Sequence, residues 1–589
     1  MIKSILPITY KSLYSKSTFG SLYKTPISLD KYHQIKKNNL NNKFTLSSIS
    51  NISQSQFTSS FNKPYVHINS TSTPISKLFY TTLNQQLPKP TPQQVIHEQN
   101  QNNNSNGNGK NKKSSHKFKI LGIVGVLSIS YYISELISTI NDVDEEELKR
   151  MYSSKTSAEL IFNYIILKLC SFSFISDNSQ ALLELSEKLG LEKVSSWFIK
   201  KTFFKQFCAG ETLEETSLFK DKLNQQGIGA ILDYSVEDSS GTNEGFDNVA
   251  EQIIKTIQIS SNNPNLSFSC LKVTGLANSE LLEKMNQFVN EILLVTERLP
   301  VEILENPMDF YANLNKYIQS GKKKSVVSNA NVQPFTPEQL RELSLLMNRL
   351  DSIFKECQSK QVPILVDAEQ SYYQQAIHHL TMAFSLKYNK ERPLIYNTYQ
   401  MYLANGYKVL TSHLEISKAN QFKLGAKIVR GAYMVSERER AARLNYPDPI
   451  LPNITETHHS YNQAIELLLR ENPTQNKVGI MIASHNVESA LFAMKLIKQY
   501  NLPSSHPNIQ FGQLFGMADF LTYQLVAQNQ RVFKYVPYGP VHEVLPYLVR
   551  RMHENKGFIG SNSEKELSFL RKELKRRFNF FKNNITTSK

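Results

Sequence analysis

Residues 425–440 read GAKIVRGAYMVSERER, an apolar run that holds two basic residues, ends at a glycine and continues into charged positions at helical spacing. This pattern is typical of a β-strand, a glycine turn and a helix. In a parallel α/β protein, side chains at the carboxyl end of a strand converge on the ligand-binding face. Lys427, Arg430 and Tyr433 are therefore candidates for chemistry, although a βα unit with solvated charges would give the same pattern in isolation.

Seven further β-rich runs alternate with helical segments after residue 228. The eight predicted strands cover residues 229–234, 267–274, 363–367, 394–398, 426–431, 478–484, 509–514 and 532–536. Eight strands with helical spacers predict a (β/α)8 barrel of the α/β class. A helical insertion is expected between the second and third strands, at about residues 276–360, with one helix beginning at the capping box Thr336-Pro-Glu-Gln.

The charge of the chain is concentrated in its first fifth. The whole chain carries a formal net charge of +16, of which residues 1–119 supply +14 through sixteen lysines against Asp30 and Glu98. The remaining +2 leaves the globular part near neutral, without a basic stripe interleaved with aromatics, so nucleic acid is not expected as a partner. Four widely spaced cysteines without a CxxC motif argue against a zinc site or a disulfide framework, so no metal is expected.

The composition divides the chain into segments. Residues 1–60, rich in Ser, Lys, Tyr and Asn, resemble a mitochondrial transit peptide, with a disordered tail as the alternative. Residues 61–116 are expected to form a low-complexity disordered linker. Residues 117–140 hold an apolar run at 120–134, shorter than the roughly 20 residues of a spanning helix, which leaves an interfacial anchor or a packed helix open. A helical arm over 141–227, the barrel over 228–575 and a tail over 576–589 follow.

Polar side chains stand at the carboxyl ends of most of the predicted strands. Buried charges are costly unless they are paired or used, and both signs occur at these ends, so a shared functional mouth explains them better than packing does. The residues are Asp233 with Glu237, Lys272, Asp367, Asn397, Lys427, the run Ser484-His485-Asn486, Gln513 and Tyr535.

Two adjacent arginines follow the eighth strand on a predicted helix. Arg550 and Arg551 could hold a small carboxylate through paired hydrogen bonds, which lysine does less well. A solvated helical pair is the alternative for any Arg-Arg dipeptide.

Seven motifs in one order carry a family resemblance that none of them carries alone. They are VDAE at 366–369, NTYQ at 397–400, KIVRGAY at 427–433, SHN at 484–486, QLFGM at 513–517, YVPYG at 535–539 and YLVRR at 547–551. Together they resemble the proline dehydrogenase family of the mitochondrial type, over about residues 205–575.

The resemblance implies a distorted TIM-like barrel that holds FAD at its mouth, although the chain has no Gly-x-Gly-x-x-Gly fingerprint. The implied reaction is oxidation of L-proline to Δ1-pyrroline-5-carboxylate by hydride transfer to flavin N5. The residues implied to bind the cofactor are Asn397, Lys427, Val429, Gly431, Ala432, Ser484, His485, Asn486, Gln513 and Glu554. Those implied to bind or enclose the substrate are Arg550, Arg551, Lys272, Asp367, Tyr433, Leu514 and Tyr535, with Asp233 and Glu237 as partners of the basic groups.

The resemblance also implies partners and a location. Ubiquinone is the expected electron acceptor, at the matrix side of the inner mitochondrial membrane, and a pyrroline-5-carboxylate dehydrogenase is the expected consumer of the product.

Three other functions remain compatible with the sequence. A hydroxyproline dehydrogenase has the same fold, but Tyr535 would crowd a ring hydroxyl. A Schiff-base aldolase would use Lys427 or Lys272 as nucleophile. A non-enzymatic membrane-tethered scaffold would be expected to have lost motif residues.

Overall fold

The computed structural model describes residues 145–172, 178–235, 241–296, 300–319, 333–472, 478–556 and 562–587. The predicted transit peptide, linker and apolar run 120–134 lie outside these ranges, as does Glu237. Within the described ranges, no helix combines the length and the hydropathy needed to cross a bilayer.

Eight parallel strands close into a barrel in sequence order, with the first strand paired to both the second and the eighth. This confirms the predicted (β/α)8 fold. The strands are β1 Ile228–Tyr234, β2 Ser267–Leu271, β3 Ile364–Val366, β4 Ile395–Gln400, β5 Leu424–Val429, β6 Val478–Ala483, β7 Ile509–Leu514 and β8 Val532–Tyr538.

The second strand is shorter than the sequence indicated. It ends at Leu271, and the prediction that it reaches residue 274 is wrong. The Gly275 amide donates to the Lys272 carbonyl at 3.2 Å and the Leu276 amide donates to the Val273 carbonyl at 3.0 Å. These bonds close a 3₁₀ turn over Val273–Gly275, which uses amides that a longer ladder would need.

Helices surround the barrel and precede it. The described helices before β2 are α1 Glu145–Met151, α2 Ser157–Cys170, α3 Ser179–Lys188, α4 Glu192–Ile199, α5 Lys205–Phe207, α6 Leu213–Asn224 and α7 Asn243–Ser260, with a π-helical turn over Lys200–Phe204. The insertion between β2 and β3 holds α8 Ser279–Thr296, α9 Val301–Glu305, α10 Pro307–Gln319 and α11 Pro337–Lys360. Those after β3 are α12 Ser371–Tyr388, α13 Gly406–Ala419, α14 Met434–Leu444, α15 Ile454–Arg470, α16 Val487–Gln499, α17 Asp519–Ala527, α18 Leu545–Lys556 and α19 Asn562–Thr587.

The predicted capping box of the insertion is confirmed. The Thr336 hydroxyl accepts a hydrogen bond from the Gln339 amide at 3.2 Å, and the Gln339 side chain accepts one from the Thr336 amide at 3.1 Å. Pro337 occupies the first helical position, where its missing N–H costs nothing. These local bonds fix the start of α11, which packs on α7 outside the barrel.

Aromatic rings fill the amino-terminal end of the barrel. The Phe268 ring lies 5.4 Å from the Tyr396 ring and 5.0 Å from the Phe533 ring, both edge-on. Gly425 and Gly479 make room for Tyr396, because a Cβ at residue 479 would lie 2.3 Å from its hydroxyl and one at residue 425 would lie 2.8 Å from its ring. Access to the barrel interior is therefore from the carboxyl ends of the strands.

One buried side chain fixes the amino ends of two neighbouring strands. The Asn389 amide group donates to the carbonyls of Ile395 and Lys423 at 2.8 and 2.9 Å. Its oxygen accepts from the amides of Leu394 and Ile395 at 3.1 and 2.8 Å. One asparagine side chain thus provides hydrogen bonds for backbone groups at the start of β4 and β5.

We expect Asn389→Ala to lower the free energy of unfolding by roughly 2–4 kcal/mol, because it leaves several buried backbone groups unpaired. The measurement is the thermal or urea unfolding midpoint. Asn405→Ala is the matched control, since Asn405 is exposed and its side chain makes no capping bond to α13. Equal effects of the two substitutions would contradict this role of Asn389.

Candidate active site

A cavity of about 930 Å³ opens at the carboxyl ends of the strands. It brings together sixteen of the seventeen predicted site residues: Lys272, Asp367, Lys427, Val429, Gly431, Ala432, Tyr433, Ser484, His485, Asn486, Gln513, Leu514, Tyr535, Arg550, Arg551 and Glu554. A second cavity of about 420 Å³ adjoins it and shares Lys272, Tyr433 and Arg550 with it. The volume lies within the range of sites that hold cofactors or small ligands.

A buried ion pair lies on the wall of this cavity. The Lys427 ammonium at the end of β5 lies 2.5 Å from the Asp367 carboxylate, which follows β3. The Tyr535 hydroxyl on β8 donates to the other carboxylate oxygen at 2.8 Å. The Lys427 ammonium also lies 5.0 Å from the centre of the Tyr535 ring. Three strands that are not neighbours in the sheet therefore meet through charged hydrogen bonds and a cation–π contact.

Burial and charge act in opposite directions on this pair. Burial opposes ionisation of Asp367, but Lys427 and Lys272 outweigh it and hold the Asp367 pKa below its ordinary value. Burial likewise disfavours the charged form of Lys427, and Asp367 reverses that effect and raises the Lys427 pKa. Burial, with Asp233 and Asp367, raises the pKa of Tyr535 well above its ordinary value. Near neutral pH the pair is ionised and the phenol is protonated.

A second buried pair stands beside the first. Lys272, which follows β2, donates to the Asp233 carboxylate of β1 at 3.0 Å, and the Ser235 hydroxyl donates to the same oxygen at 2.5 Å. Both charged side chains are nearly inaccessible to solvent. The prediction that Asp233 pairs with a basic group of the site agrees with this contact.

The two arginines of α18 have different surroundings. Arg551 is buried, and it donates to Glu554 at 2.6 Å while its guanidinium lies 4.7 Å from the Tyr547 ring. Its Nε has no hydrogen-bond partner among the described residues. Arg550 is half-buried and lines both cavities. The helix therefore presents two guanidinium groups to the barrel mouth.

His485 at the end of β6 is held as a neutral ring. Its Nε2 accepts a hydrogen bond from the Leu514 amide at 3.0 Å, so the proton of the neutral imidazole is on Nδ1. Burial, with the nearby charges of Lys534 and Arg551, lowers the pKa of His485 to about 3. Ser484 and Asn486 flank it, and the Asn486 side chain caps α16 through the Ser489 amide at 2.8 Å.

Asn397 is not brought to the cavity. Its side-chain oxygen lies 3.1 Å from Nδ1 of His378 on α12, on the outer face of β4. Thr398, the next residue along the strand, lines the cavity instead. Successive side chains of a strand point to opposite faces, so the second residue of the motif, Thr398, faces the cavity and the first, Asn397, faces away from it.

A charged cluster behind the cavity was not predicted. Lys534 of β8 donates to the carbonyls of Leu514 and Met517, both of which line the cavity, and it pairs with Asp519 at 2.8 Å. Lys155, between α1 and α2, reaches the same aspartate at 2.5 Å. Alternation along β8 could have indicated that Lys534 faces outward beside the inward Tyr535, but nothing in the sequence identifies Lys155 as a partner of Asp519.

Glu566 of α19 completes this cluster at the cavity wall. It accepts from the Phe520 amide at 3.2 Å and from the Tyr152 hydroxyl at 3.3 Å. Burial, with the nearby Asp519 charge, raises the pKa of Glu566 to about 7. The cluster connects the helical arm, the β7–α17 loop, β8 and the C-terminal helix.

Arg430 lies at the outer edge of the cavity. It contacts Nδ1 of His458 at 2.5 Å and the Ser489 hydroxyl, and its guanidinium lies 4.0 Å from the Tyr461 ring. The described residues contain no cluster of three His, Cys, Asp or Glu side chains arranged to hold a metal. The cavity lining therefore includes cations paired with a carboxylate, such as Lys427 and Arg551, and also Arg430, which is held by an imidazole, a hydroxyl and an aromatic ring.

A parallel (β/α)8 barrel with paired charges in a cavity at the carboxyl ends of its strands is the architecture of a barrel enzyme. Residues 220–564 match the family model described as proline dehydrogenase. The chain is 56% identical over 434 residues to proline dehydrogenase 1, mitochondrial, of Dictyostelium discoideum, covering 73% of this chain and 74% of that protein. The chain belongs to the proline dehydrogenase family and is an oxidoreductase.

Two further comparisons place the chain within a wider group. It is 30% identical over 436 residues to a hydroxyproline dehydrogenase of Xenopus laevis, covering 72% of this chain and 89% of that protein. Its fold is similar to the crystal structure of proline utilization A from Bdellovibrio bacteriovorus inactivated by N-propargylglycine, with a TM-score of 0.51 and 17% identity. That match covers 74% of this chain and 43% of the bacterial chain, so it supports the fold alone.

Asp367→Asn is expected to lower the free energy of unfolding by about 3–5 kcal/mol near neutral pH, because it leaves Lys427 buried without its counter-charge. Glu251→Gln, which removes an exposed i,i+4 pair with Lys255, is the control and should cost less than about 1 kcal/mol.

The difference between wild type and Asp367→Asn should also depend on pH. Asp367 has a lowered pKa, so its contribution is present above its ordinary value and is lost as the pH falls through the lowered one. Lys427 has a raised pKa, so its contribution is lost as the pH rises through the raised value. Unfolding midpoints measured across pH should show the largest difference near neutrality. A difference that is unchanged in acid would contradict the ion-pair assignment.

Proposed function

We propose that this chain oxidises L-proline to Δ1-pyrroline-5-carboxylate with FAD bound in the 930 Å³ cavity. The observation that carries the proposal is the convergence of Lys272, Arg550 and Arg551 on one cavity whose wall is the Lys427–Asp367 pair. Family membership supports proline as the substrate. The three cations of the cavity favour a small substrate that carries a negative charge, such as a carboxylate.

The donor set of the cavity fits a flavin. Three buried N–H groups on its lining, Nε2 of Gln513 and the Nε atoms of Arg430 and Arg551, have no hydrogen-bond partner among the described residues. A flavin ring and its phosphate tail are rich in acceptors, which such donors would satisfy. FAD would supply a two-electron acceptor for hydride, which no side chain provides.

The residues proposed to hold FAD lie on adjoining strand ends. They are Lys427, Val429, Gly431, Ala432, Ser484, His485, Asn486, Gln513 and Glu554. The neutral His485 adds no positive charge there, whereas Lys427 keeps its charge through Asp367. Asn397 is not included in this set, because its side chain contacts His378 outside the cavity.

The substrate is proposed to bind through its carboxylate. Arg550, Arg551 and Lys272 would hold the two oxygens, and paired guanidinium bonds fix orientation as well as charge. Tyr433, Leu514 and Tyr535 would enclose the ring, and Asp367 would keep Tyr535 in place through its 2.8 Å hydrogen bond. Fixing the ring in one orientation lowers the entropy cost of the hydride transfer.

We assign ubiquinone as the acceptor of the electrons and the matrix side of the inner mitochondrial membrane as the location. The resemblance of residues 1–60 to a transit peptide and the relative's mitochondrial designation support this. A linker over 61–116 and an anchor segment over 117–140 would precede the catalytic part. A pyrroline-5-carboxylate dehydrogenase would consume the product.

The structure disfavours an aldolase. A Schiff-base lysine must lose its proton to attack a carbonyl. Both Lys427 and Lys272 are paired with buried carboxylates, and the pKa of Lys427 is raised by Asp367 against the effect of burial.

The test is the visible spectrum of the purified full chain under anaerobic conditions. A flavin absorption that bleaches with L-proline, and less readily with trans-4-hydroxyproline, is the expected result. A protein that cannot be loaded with FAD, or whose loaded flavin does not respond to proline, would contradict the proposal.

Arg551→Met should retain flavin absorption but raise the proline concentration needed for half-bleaching by at least tenfold. Losing a charged, desolvated hydrogen bond to the substrate costs about 2–5 kcal/mol. Arg443→Met is the control, because Arg443 is exposed on α14. Wild-type affinity in Arg551→Met would remove this arginine from the substrate site.

The bulk of the Tyr535 side chain should make the enzyme discriminate against hydroxyproline in favour of proline. Tyr535→Ser is expected to raise kcat/KM for trans-4-hydroxyproline relative to proline about tenfold, since a pocket contact of this size is worth about 1–3 kcal/mol of discrimination. Tyr535→Phe removes the hydrogen bond to Asp367 but keeps the ring, so its selectivity should stay near wild type. The same ratio in wild type and Tyr535→Ser would contradict this role.

A further inference from the structure

Glu369 is the last residue of the VDAE motif and belongs to neither the cofactor set nor the substrate set described above. It is buried, with 4% of its surface exposed, in the loop between β3 and α12. The Thr274 amide donates to its Oε1 at 3.1 Å, and the Thr274 hydroxyl donates to its Oε2 at 2.5 Å. A carboxylate that receives two hydrogen bonds from one residue of another loop fixes the position of that loop.

The loop that Glu369 holds carries Lys272. At the end of β2, the Leu271 carbonyl accepts a hydrogen bond from the Asp367 amide at 2.9 Å. Lys272 comes next, and the 3₁₀ turn over Val273–Gly275 begins directly after it. Lys272 therefore lies between two fixed points, Leu271 and Thr274, and both of them are bonded to the loop that follows β3.

The far side of the turn is fixed independently. Nη1 of Arg349, on the insertion helix α11, donates to the Leu276 carbonyl at 3.0 Å. Nε of the same arginine pairs with Asp247 of α7 at 2.6 Å. Loss of the Glu369 side chain would therefore loosen one side of the turn without detaching the segment from the barrel.

The backbone of Glu369 does not depend on its own side chain. The Glu369 amide donates to Oε1 of Gln374 at 2.8 Å, and the Glu369 carbonyl accepts from Nε2 of Gln400 at 2.7 Å. Truncation of Glu369 at Cβ should therefore leave the end of the loop that carries Asp367 in place and release only Thr274.

We propose that Glu369 is a positioning residue, which holds Lys272 through Thr274 at the place where its ammonium group meets the carboxylate of the substrate. Lys272 lines both cavities, and its ammonium group is held by Asp233 at 3.0 Å. Glu369 fixes the other end of this side chain, the backbone from which it extends. The role rests on the proposed function, because it takes the proline carboxylate as the ligand of Lys272.

A direct contact between Glu369 and the substrate is disfavoured. Glu369 lines the second cavity but is not among the residues that line the 930 Å³ cavity. Each of its carboxylate oxygens already accepts a hydrogen bond from Thr274. A second carboxylate beside that of proline would also weaken binding, because like charges repel.

The test is an anaerobic titration of the flavin absorption of the loaded full chain with L-proline. Glu369→Ala should raise the proline concentration for half-bleaching about tenfold, because a displaced binding group loses much of its contribution. Glu369→Gln should stay within about threefold of wild type, since its amide group can both accept from the Thr274 N–H and donate to the Thr274 hydroxyl.

Glu159→Ala is the matched control for this titration. Glu159 accepts hydrogen bonds from the amide and the hydroxyl of Thr156, as Glu369 does from Thr274, but it lies on the exposed first turn of α2. Its loss should leave the proline titration unchanged. Equal losses of affinity in Glu369→Gln and Glu369→Ala would overturn the proposal, because the charge and not the hydrogen-bonded link would then be what matters.

A double-variant cycle with Lys272→Met tests whether Glu369 acts through Lys272. Proline is highly soluble in water, so a variant with weakened affinity can still be titrated. Adding Glu369→Ala to Lys272→Met should raise the half-bleaching concentration by less than about twofold, because the group that Glu369 positions is already absent. A further increase of about tenfold in the double variant would overturn the proposal.

Two further measurements make the result independent of turnover and of flavin loading. Binding of tetrahydrofuran-2-carboxylate, which has the ring and the carboxylate but no amine to oxidise, should weaken in calorimetry by the same factor as proline. Thr274→Val removes only the hydroxyl hydrogen bond and should raise the half-bleaching concentration about threefold. If Glu369→Ala does not retain flavin, wild-type affinity in Thr274→Val would overturn the proposal.

The behaviour of wild type separates this proposal from the proposed function. A wild-type flavin that does not bleach with proline would contradict the proposed function. A wild type that bleaches, together with Glu369→Ala at wild-type affinity, would overturn the positioning role alone.

Discussion

The ion pair between Lys427 and Asp367 is the interaction on which the arrangement of the site depends. Lys427 lies in β5, Asp367 follows β3, and Tyr535 joins them from β8, so the contact exists only when the barrel is closed. A buried pair of this kind adds little net stability, because the desolvation of both charges offsets their attraction. Its consequence is geometric: an opening of the barrel mouth would leave two buried charges alone, which fixes the relative positions of three strands.

Three other cations at or behind the cavity wall are paired in the same way. Lys272 has Asp233, Arg551 has Glu554, and Lys534 has Asp519, each within hydrogen-bonding distance. Carboxylates at these positions hold the basic groups in a fixed orientation before a ligand arrives. Preorganised charges need no rearrangement during the reaction, which is why they act more strongly than mobile charges in water. The cavity is thus lined by more cations than carboxylates, and its donors and acceptors are held in fixed positions.

The strand positions could be predicted because parallel barrel strands are short apolar runs with helical spacers, and the motifs at their ends appear in order. The direction in which individual side chains point was harder to predict from the sequence. Asn397 begins the NTYQ motif, but β4 turns its amide toward His378 and leaves Thr398 in the cavity. Lys272 reaches Asp233 because a 3₁₀ turn replaces the last residues of the predicted strand. A shift of one residue reverses the face of a strand, and composition alone does not fix that register.

The Lys155–Asp519–Lys534 cluster could not be predicted from the sequence, for a different reason. Its members are separated by more than 350 residues between the arm and α17, so no local pattern joins them. Yet Lys534 holds the carbonyls of Leu514 and Met517 at the cavity wall, which makes the helical arm part of the support of the site. Glu566 extends this support to the C-terminal helix.

The barrel interior can be reached from one end alone, because the other end is filled with aromatic side chains. Tyr396, Phe268 and Phe533 fill the amino-terminal end, and Gly425 and Gly479 exist there because a Cβ would collide with Tyr396 or with the strand beside it. Any ligand of the barrel interior must therefore approach from the carboxyl ends of the strands.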